Sequence, residues 1–459
     1  MNLLKKLFSP SILLFSILLL IYTFYKSEIL WDGNYKHYYK IYYLISLILI
    51  CFSIITFFIN EKIKLYLIIS VISLIVSFYL FEGYLTLKLN FFKDTLLKEQ
   101  LLKEQFLREQ IYEKKTGKKW DTRTRIKIYD DLKKIDKDIV ISVRPKNYLE
   151  QEIKKYSILP LSGISNSRTI YCNENGYYSI YKSDRFGFNN PDVEWDKKEI
   201  EYVLVGDSFT HGACVNRPND ISSVLRKLSN KSVLNLGMGG NGPLHEYATL
   251  VEYLKDNVKK ILWIYYEEND FKSLPQNNVL NNYLKDKSFN QKLKFRQNSI
   301  DKLALEIVKE KYKQKKEKEK EKKKDSLKIK LIKLIKFSNL RLLIHQMLVP
   351  TTIPSQSISP AEFKKIIRFA KELSNKNNSK LYFVYLPSYN RYKKIYNNKN
   401  YNLVKNIITE LKIPFIDMHE EVFQKEKNPL TLFPFKLYGH YNVDGYRKIA
   451  ESIYKFTKD

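Results

Sequence analysis

The stretch Glu201-Tyr202-Val203-Leu204-Val205-Gly206-Asp207-Ser208-Phe209-Thr210 decides how the C-terminal half of this chain folds. Four β-prone residues, Tyr202 to Val205, run without a charge into a glycine, and the residues after Ser208 read as helix. A buried strand that turns directly into a helix is the repeating unit of a parallel sheet. The same rhythm recurs on either side of a long charged stretch. Residues 231–237 (KSVLNLG) and 259–266 (KKILWIYY) read as strands, then 361–376 as a helix, 380–386 as a strand, 401–412 as a helix and 413–418 as a strand. Alternating strands and helices of this kind predict an α/β fold around a parallel sheet.

In such sheets ligands meet the carboxyl ends of the strands, and four groups of residues fall at strand ends or in loops. Ser208 opens a helix, where backbone N–H groups favour developing negative charge. Thr210 stands where an α/β-hydrolase elbow needs glycine, so this is another kind of serine site. The loop Asn235-Leu236-Gly237-Met238-Gly239-Gly240-Asn241-Gly242-Pro243 follows the next strand and carries four glycines. Glu267-Glu268-Asn269-Asp270 ends the third strand, and Gly439-His440-Tyr441-Asn442 precedes the last helix. Taken singly, each has a plain structural reading: a turn serine, a tight loop, an Asx cap, a packed histidine.

In this order the four groups resemble the blocks of the SGNH, or GDSL, hydrolase family. The resemblance covers about residues 200–285 and 360–459. It implies a three-layer α/β/α, flavodoxin-like sheet, with Ser208 as nucleophile and His440 as general base. The oxyanion hole would be formed by Ser208, Gly240 and Asn269. The segment Ser183 to Pro191 (SDRFGFNNP) is also similar to what precedes the serine in membrane-anchored bacterial members. Two positions depart from the family pattern. Glu267 replaces a glycine and crowds the loop before Asn269. Leu437 stands where the family has an aspartate three residues before its histidine. The site then reads as a Ser–His dyad, with Asp417, Asp444 or a backbone carbonyl near Leu437 as candidates to hold the imidazole. The implied activity is ester cleavage, or transfer of an O-acyl group, on a glycan or lipid. Water and a sugar hydroxyl serve equally as acceptor, so an O-acyltransferase stays open beside an esterase. The rival from another class is a catalytically inactive, glycan-binding protein of the same fold.

Before the sheet the chain is apolar. Residues 7–25, 41–59 and 65–83 are almost uncharged, and each is about 19 residues long, enough to cross a hydrocarbon core of about 30 Å at 1.5 Å per residue. Three spans with the N-terminus inside place the rest of the chain outside the cytoplasm, and the lysines at the span ends favour that orientation weakly. Leucines at three- and four-residue steps predict an amphipathic stalk helix from 86 to about 118, closed at Gly117. The expected organisation is residues 1–85 as three transmembrane helices and 86–200 as stalk and irregular linker. Residues 201–459 then form the catalytic domain, with a charged helical insertion at 286–359.

The formal charge of +30, from 79 Lys+Arg against 49 Asp+Glu, raises the question of a nucleic-acid partner. Residues 1–85 hold seven lysines against four acids, and 301–336 hold fifteen lysines against seven acids, so part of the excess lies in low-complexity helix. No helix-turn-helix, RRM, KH or zinc-finger pattern occurs, and a basic domain outside the cytoplasm does not meet the genome. Nucleic acid is therefore not expected; the excess charge reads first as surface and Lys-rich composition, with attraction to anionic glycans or lipid head groups as the functional alternative. Three cysteines exclude a disulfide scaffold. Cys51 lies in the second apolar run, while Cys172 and Cys214 can pair or stay as buried thiols. No HExxH, Cys-rich or phosphate-loop motif calls for a metal or cofactor. The acyl group, the substrate and the oligomeric state are not legible.

Overall fold

A serine or threonine inside an apolar helix can return its hydroxyl to a carbonyl of the preceding turn. Three apolar helices lie near the N-terminus in the computed structural model, which describes residues 2–30, 33, 36–149, 158–268, 278–324, 331–332, 334–348, 358–393 and 396–458. They are α1 (Asn2–Phe24), α2 (Lys36–Phe57) and α3 (Glu61–Thr116). Within them Ser16, Thr23 and Ser46 each return a hydroxyl to the carbonyl four residues back. The windows Lys5–Leu30, Tyr39–Phe57 and Glu61–Thr86 are long and apolar enough to cross a membrane. The third apolar run and the expected stalk are one helix, which ends at Thr116 before Gly117.

The chain divides into two compact units, one of Met1–Lys98 with Asp325–Pro350, the other of Glu99–Lys324 with Thr351–Asp459. In the larger unit a small sheet comes first, made of β1 (Ile139–Ile141), β2 (Arg168–Ile170) and β3 (Ile180–Lys182), with β2 and β3 antiparallel. The main sheet follows with β4 (Ile200–Gly206), β5 (Val233–Asn235), β6 (Val258–Tyr266), β7 (Lys380–Leu386) and β8 (Phe415–Asp417). All neighbours are parallel and the order is β5-β4-β6-β7-β8. This is the doubly wound flavodoxin order, and it puts the reversal of winding, where ligands bind, at the carboxyl ends of β4 and β6.

Period-two alternation divides the strand side chains between two cores. Tyr202, Leu204, Leu262, Ile264, Tyr382 and Val384 form one face. It is covered by α5 (Ile221–Ser229) and α10 (Val443–Thr457), while α4 (Ser208–His211) leads from β4 into that layer. Val203, Val205, Ile261, Trp263, Leu381 and Phe383 form the other, under α6 (Pro243–Tyr253), α7 (Gln297–Lys324), α8 (Pro360–Lys376) and α9 (Lys399–Glu410). Fully burying each such side chain contributes about 1.5–3 kcal/mol. The helices start where their caps say they should: Ser359 accepts from Glu362 N–H ahead of Pro360, and Asn442 accepts from Gly445 N–H.

The charged stretch is not a solvated helix throughout. Ile300, Leu303, Ala304, Ile307 and Val308 of α7 are buried in the second core, and their spacing of three and four residues was readable beneath the lysine content.

Candidate active site

Strand β4 ends at Gly206, and a Cβ there would stand 2.1 Å from Thr210 Oγ1 and 2.5 Å from Ile264 O, so only glycine lets the chain turn this tightly. Asp207 caps the short α4, its Oδ1 accepting from Phe209 N–H at 2.8 Å. Ser208 follows as the first helical residue, 8% exposed, at the winding reversal of the sheet.

His440 reaches Ser208 from the far end of the chain. The Asn442 cap ties its loop to α10, and buried Tyr441 donates its hydroxyl to Pro387 O at 2.6 Å. The Phe209 ring packs 4.7 Å from the imidazole. His440 Nε2 lies 2.9 Å from Ser208 Oγ.

The other ring nitrogen answers the question left by Leu437. Glu174 Oε1 is 3.0 Å from His440 Nδ1, and Glu174 Oε2 accepts from the His440 backbone N–H at 2.7 Å. Neither Asp417 nor Asp444 holds the ring. Asp417 accepts from Tyr401 Oη and His419 N, and Asp444 pairs with Arg447. A carboxylate at Nδ1 fixes the proton there and leaves Nε2 to accept from the serine hydroxyl. The arrangement is an acid–His–Ser chain rather than the dyad expected from sequence.

Burial alone would push the His440 pKa down, but the Glu174 charge and hydrogen bond outweigh it and leave the imidazole above its usual value. Burial likewise works to raise Glu174, and the His440 charge and hydrogen bonds hold its carboxyl below the usual range. Each partner stabilises the charged form of the other.

Glu174 sits in the turn of the β2–β3 hairpin, and several contacts fix that turn, among them hydrogen bonds to the Asp121 backbone. The disulfide Cys172–Cys214 joins it to the segment just beyond α4. Asn175 Nδ2 donates to Cys214 O at 3.0 Å. The C-terminal turns of α3 close the other side. Gly176, at φ +91°, leaves room for the Tyr112 ring where a Cβ would come within 2.3 Å of it. Arg108 donates to Tyr438 O at 2.6 Å, two residues before His440. The signal for Glu174 was therefore indirect: an acid two residues beyond one cysteine, and a second cysteine six residues beyond Ser208. The sulfur of Cys214 also lies near Glu174 and His440, in reach of a shared metal ion. It is committed to the disulfide, so this donor set does not suit one.

Gly240 adopts φ +82° in the loop after β5, and its amide makes no hydrogen bond among the described residues. Asn269 lies outside the described residues. Glu267, expected to crowd that loop, is instead buried in a polar knot. Its carboxylate accepts from Arg391, Tyr385, Tyr396 and the Ser388 N–H, the last at 2.8 Å. Burial works to raise its pKa, yet Arg391 and the Ser388 N–H hold it below the usual range. The upstream segment braces the strand ends: Asn190 Oδ1 accepts from Asn235 N–H at 2.8 Å, and Asn189 donates to His211 O at 2.9 Å. Asp184 anchors it through Phe186, Phe188, Asn190 and Trp195, and burial pushes its pKa up to about 6.

No family model matches the chain, and no curated protein matches it in sequence. Solved structures do. One, from Desulfitobacterium hafniense DCB-2, is described as lipolytic and of the G-D-S-L family; it is 12% identical, covering 56% of this chain and 99% of its own, at a TM-score of 0.32. The acetyl xylan esterase AlAXEase shows the same four values. Axe2, an acetylxylan esterase from Geobacillus stearothermophilus, is 11% identical over 57% of this chain and 94% of its own, with a TM-score of 0.30.

Proposed function

We propose that this chain is a membrane-anchored serine esterase of SGNH type that acts on O-acyl esters of a glycan or lipid. The observation that carries this reading is the hydrogen-bonded chain Glu174–His440–Ser208 at the winding reversal of a parallel sheet. His440 Nε2 takes the Ser208 hydroxyl proton while Oγ attacks the ester carbonyl. Glu174 stays ionised and stabilises the imidazolium that forms. The tetrahedral oxyanion is met by the N–H groups of Ser208 and Gly240 and by the Asn269 side chain, each worth about 2.7–4 kcal/mol. As the intermediate collapses, His440 returns the proton to the departing alcohol and the acyl group remains on Ser208. Water, activated by His440, then releases the acid.

The three apolar helices anchor the chain, and the catalytic unit faces the outside of the cytoplasm. The Cys172–Cys214 disulfide supports that side, since such bonds persist in oxidising compartments.

The test uses the full chain in detergent or nanodiscs with a short aryl ester and a fluorophosphonate label. Turnover and labelling are expected in the parent and lost in Ser208→Ala. Equal turnover in both would sink the reading. Adding an oligosaccharide acceptor and finding acylated sugar instead of free acid would reassign the same serine chemistry to transfer.

A further inference from the structure

The charged insertion leaves the catalytic unit after α7 and returns before α8, and its middle, Asp325–Pro350, belongs to the compact unit of the apolar helices. What it does there can be read from its contacts. Glu82 of α3 is fully buried, and its two carboxylate oxygens accept from Asn339 N–H at 2.9 Å and Leu340 N–H at 2.7 Å. These are the first free amides of the helix Ser338–Leu348, so an acid at the end of the third apolar helix caps this one. Asn339 Nδ2 donates to Thr86 Oγ1 at 2.9 Å. Phe337 packs 4.3 Å from the Tyr79 ring, and Arg341 lies 6.0 Å over Tyr42.

The partners mark a level. Tyr79, Glu82 and Thr86 stand at the C-terminal end of the third apolar window, Tyr42 near the N-terminal end of the second, so one end of both helices receives the segment. Tyr39, Tyr42, Tyr43, Tyr79 and Tyr84 cluster at those same ends in sequence, and tyrosine is the residue of the membrane–water interface. Four apolar residues of the segment are exposed: Leu331 is 58% exposed, Ile332 42%, Ile335 55% and Ile344 42%. Basic residues are interleaved. Residues 325–350 contain Lys328, Lys330, Lys333, Lys336 and Arg341 against the single acid Asp325, and Lys336 and Arg341 are exposed.

We infer that residues 331–348 form an in-plane amphipathic element seated in the head-group region of an anionic bilayer. Leu331, Ile332, Ile335 and Ile344 enter the acyl boundary, while Lys336 and Arg341 meet lipid phosphates. In-plane helices of this composition sink about 5–10 Å into the interface. The catalytic unit is then tied to the bilayer twice, through α3 and through its own insertion. The inference rests on the three apolar helices being membrane spans, and its test separates the two.

Single cysteines replace Ile335, Ile72 of the third span, or Ile135, an exposed residue of the catalytic unit, in a full-length Cys51→Ser background with the disulfide intact. Each is labelled with an environment-sensitive fluorophore in nanodiscs of phosphatidylcholine and phosphatidylglycerol. Quenching by lipids carrying a shallow nitroxide is compared with quenching by aqueous iodide. At Ile335→Cys the lipid quencher is expected to act at least about three-fold more strongly than at Ile135→Cys. Removing phosphatidylglycerol, or adding Lys336→Glu with Arg341→Glu, should reduce that difference. Water-accessible label at 335 with lipid-quenched label at 72 overturns the inference and keeps the spans. Water-accessible label at 72 overturns the membrane reading itself. Lipid quenching at 335 that ignores both lipid charge and the charge reversal overturns the assignment of Lys336 and Arg341 to phosphates.

Discussion

Glu174 holds His440 Nδ1 and raises the imidazole pKa, so its removal has two separable consequences. Glu174→Gln keeps the shape but not the charge, and turnover of the aryl ester should fall by about 10²–10⁴. The pH profile should move as well. His440 acts as a base only when neutral, so the rate rises with pH through its pKa. That pKa is held above its usual value chiefly by Glu174 against the effect of burial. Without the carboxylate the acid limb of kcat/KM shifts to lower pH. A purely structural loss would lower the rate and leave the limb where it was. Asp417→Asn should change neither quantity, because Asp417 is engaged with Tyr401 and His419. Asn269→Ala tests the oxyanion assignment: a fall of about 10²–10³ in kcat with little change in KM is expected.

Among the elements, the hairpin turn between β2 and β3 supplies the acid only because other elements hold it. The disulfide closes a separation of 42 residues, and loss of a bridge over such a loop costs about 2–4 kcal/mol. Cys172→Ser with Cys214→Ser should therefore lower the urea midpoint. Its more specific effect should be on the site: Ser208 and His440 keep their own supports in α4 and α10, while the Glu174 turn loses one of its ties. The acid limb should move in the same direction as in Glu174→Gln, by less. A drop in stability with an unchanged pH profile would show that the remaining contacts through Tyr112, Asp121 and Asn175 suffice to hold the turn. Helix α3 contributes to the same assembly. Arg108 and Tyr112, on the turns that follow its apolar part, brace the His440 loop and the Glu174 turn.

At the scale of the whole molecule, sidedness is the property to measure. The disulfide and, weakly, the lysines at the ends of the apolar runs support the proposed placement of the larger unit outside the cytoplasm. An alkaline-phosphatase fusion after Asp459 should be active, and a fluorescent-protein fusion that requires the cytoplasm should be dark. The reverse pair of results would invert the topology and leave the disulfide without an oxidising compartment.

Local sequence determined what depends on neighbours along the chain. Strand boundaries, the turn into α4, the caps at Ser359 and Asn442 and the three apolar helices follow from periodicity and short-range hydrogen bonding, and the expected segments match the observed ones within a few residues. The serine and histidine were legible because each sits at the end of such an element. The acid was not. Glu174 belongs to a hairpin outside the main sheet and comes to His440 only through long-range packing, a disulfide and the turns of α3, none of which leaves a pattern within a short window. The same limit concealed the return of residues 325–350 to the apolar unit. The sequence reads this segment and α7 only as parts of a charged helical insertion, whereas one face of α7 fills a core, and the amides at the start of Ser338–Leu348 meet a carboxylate some 250 residues earlier in the chain.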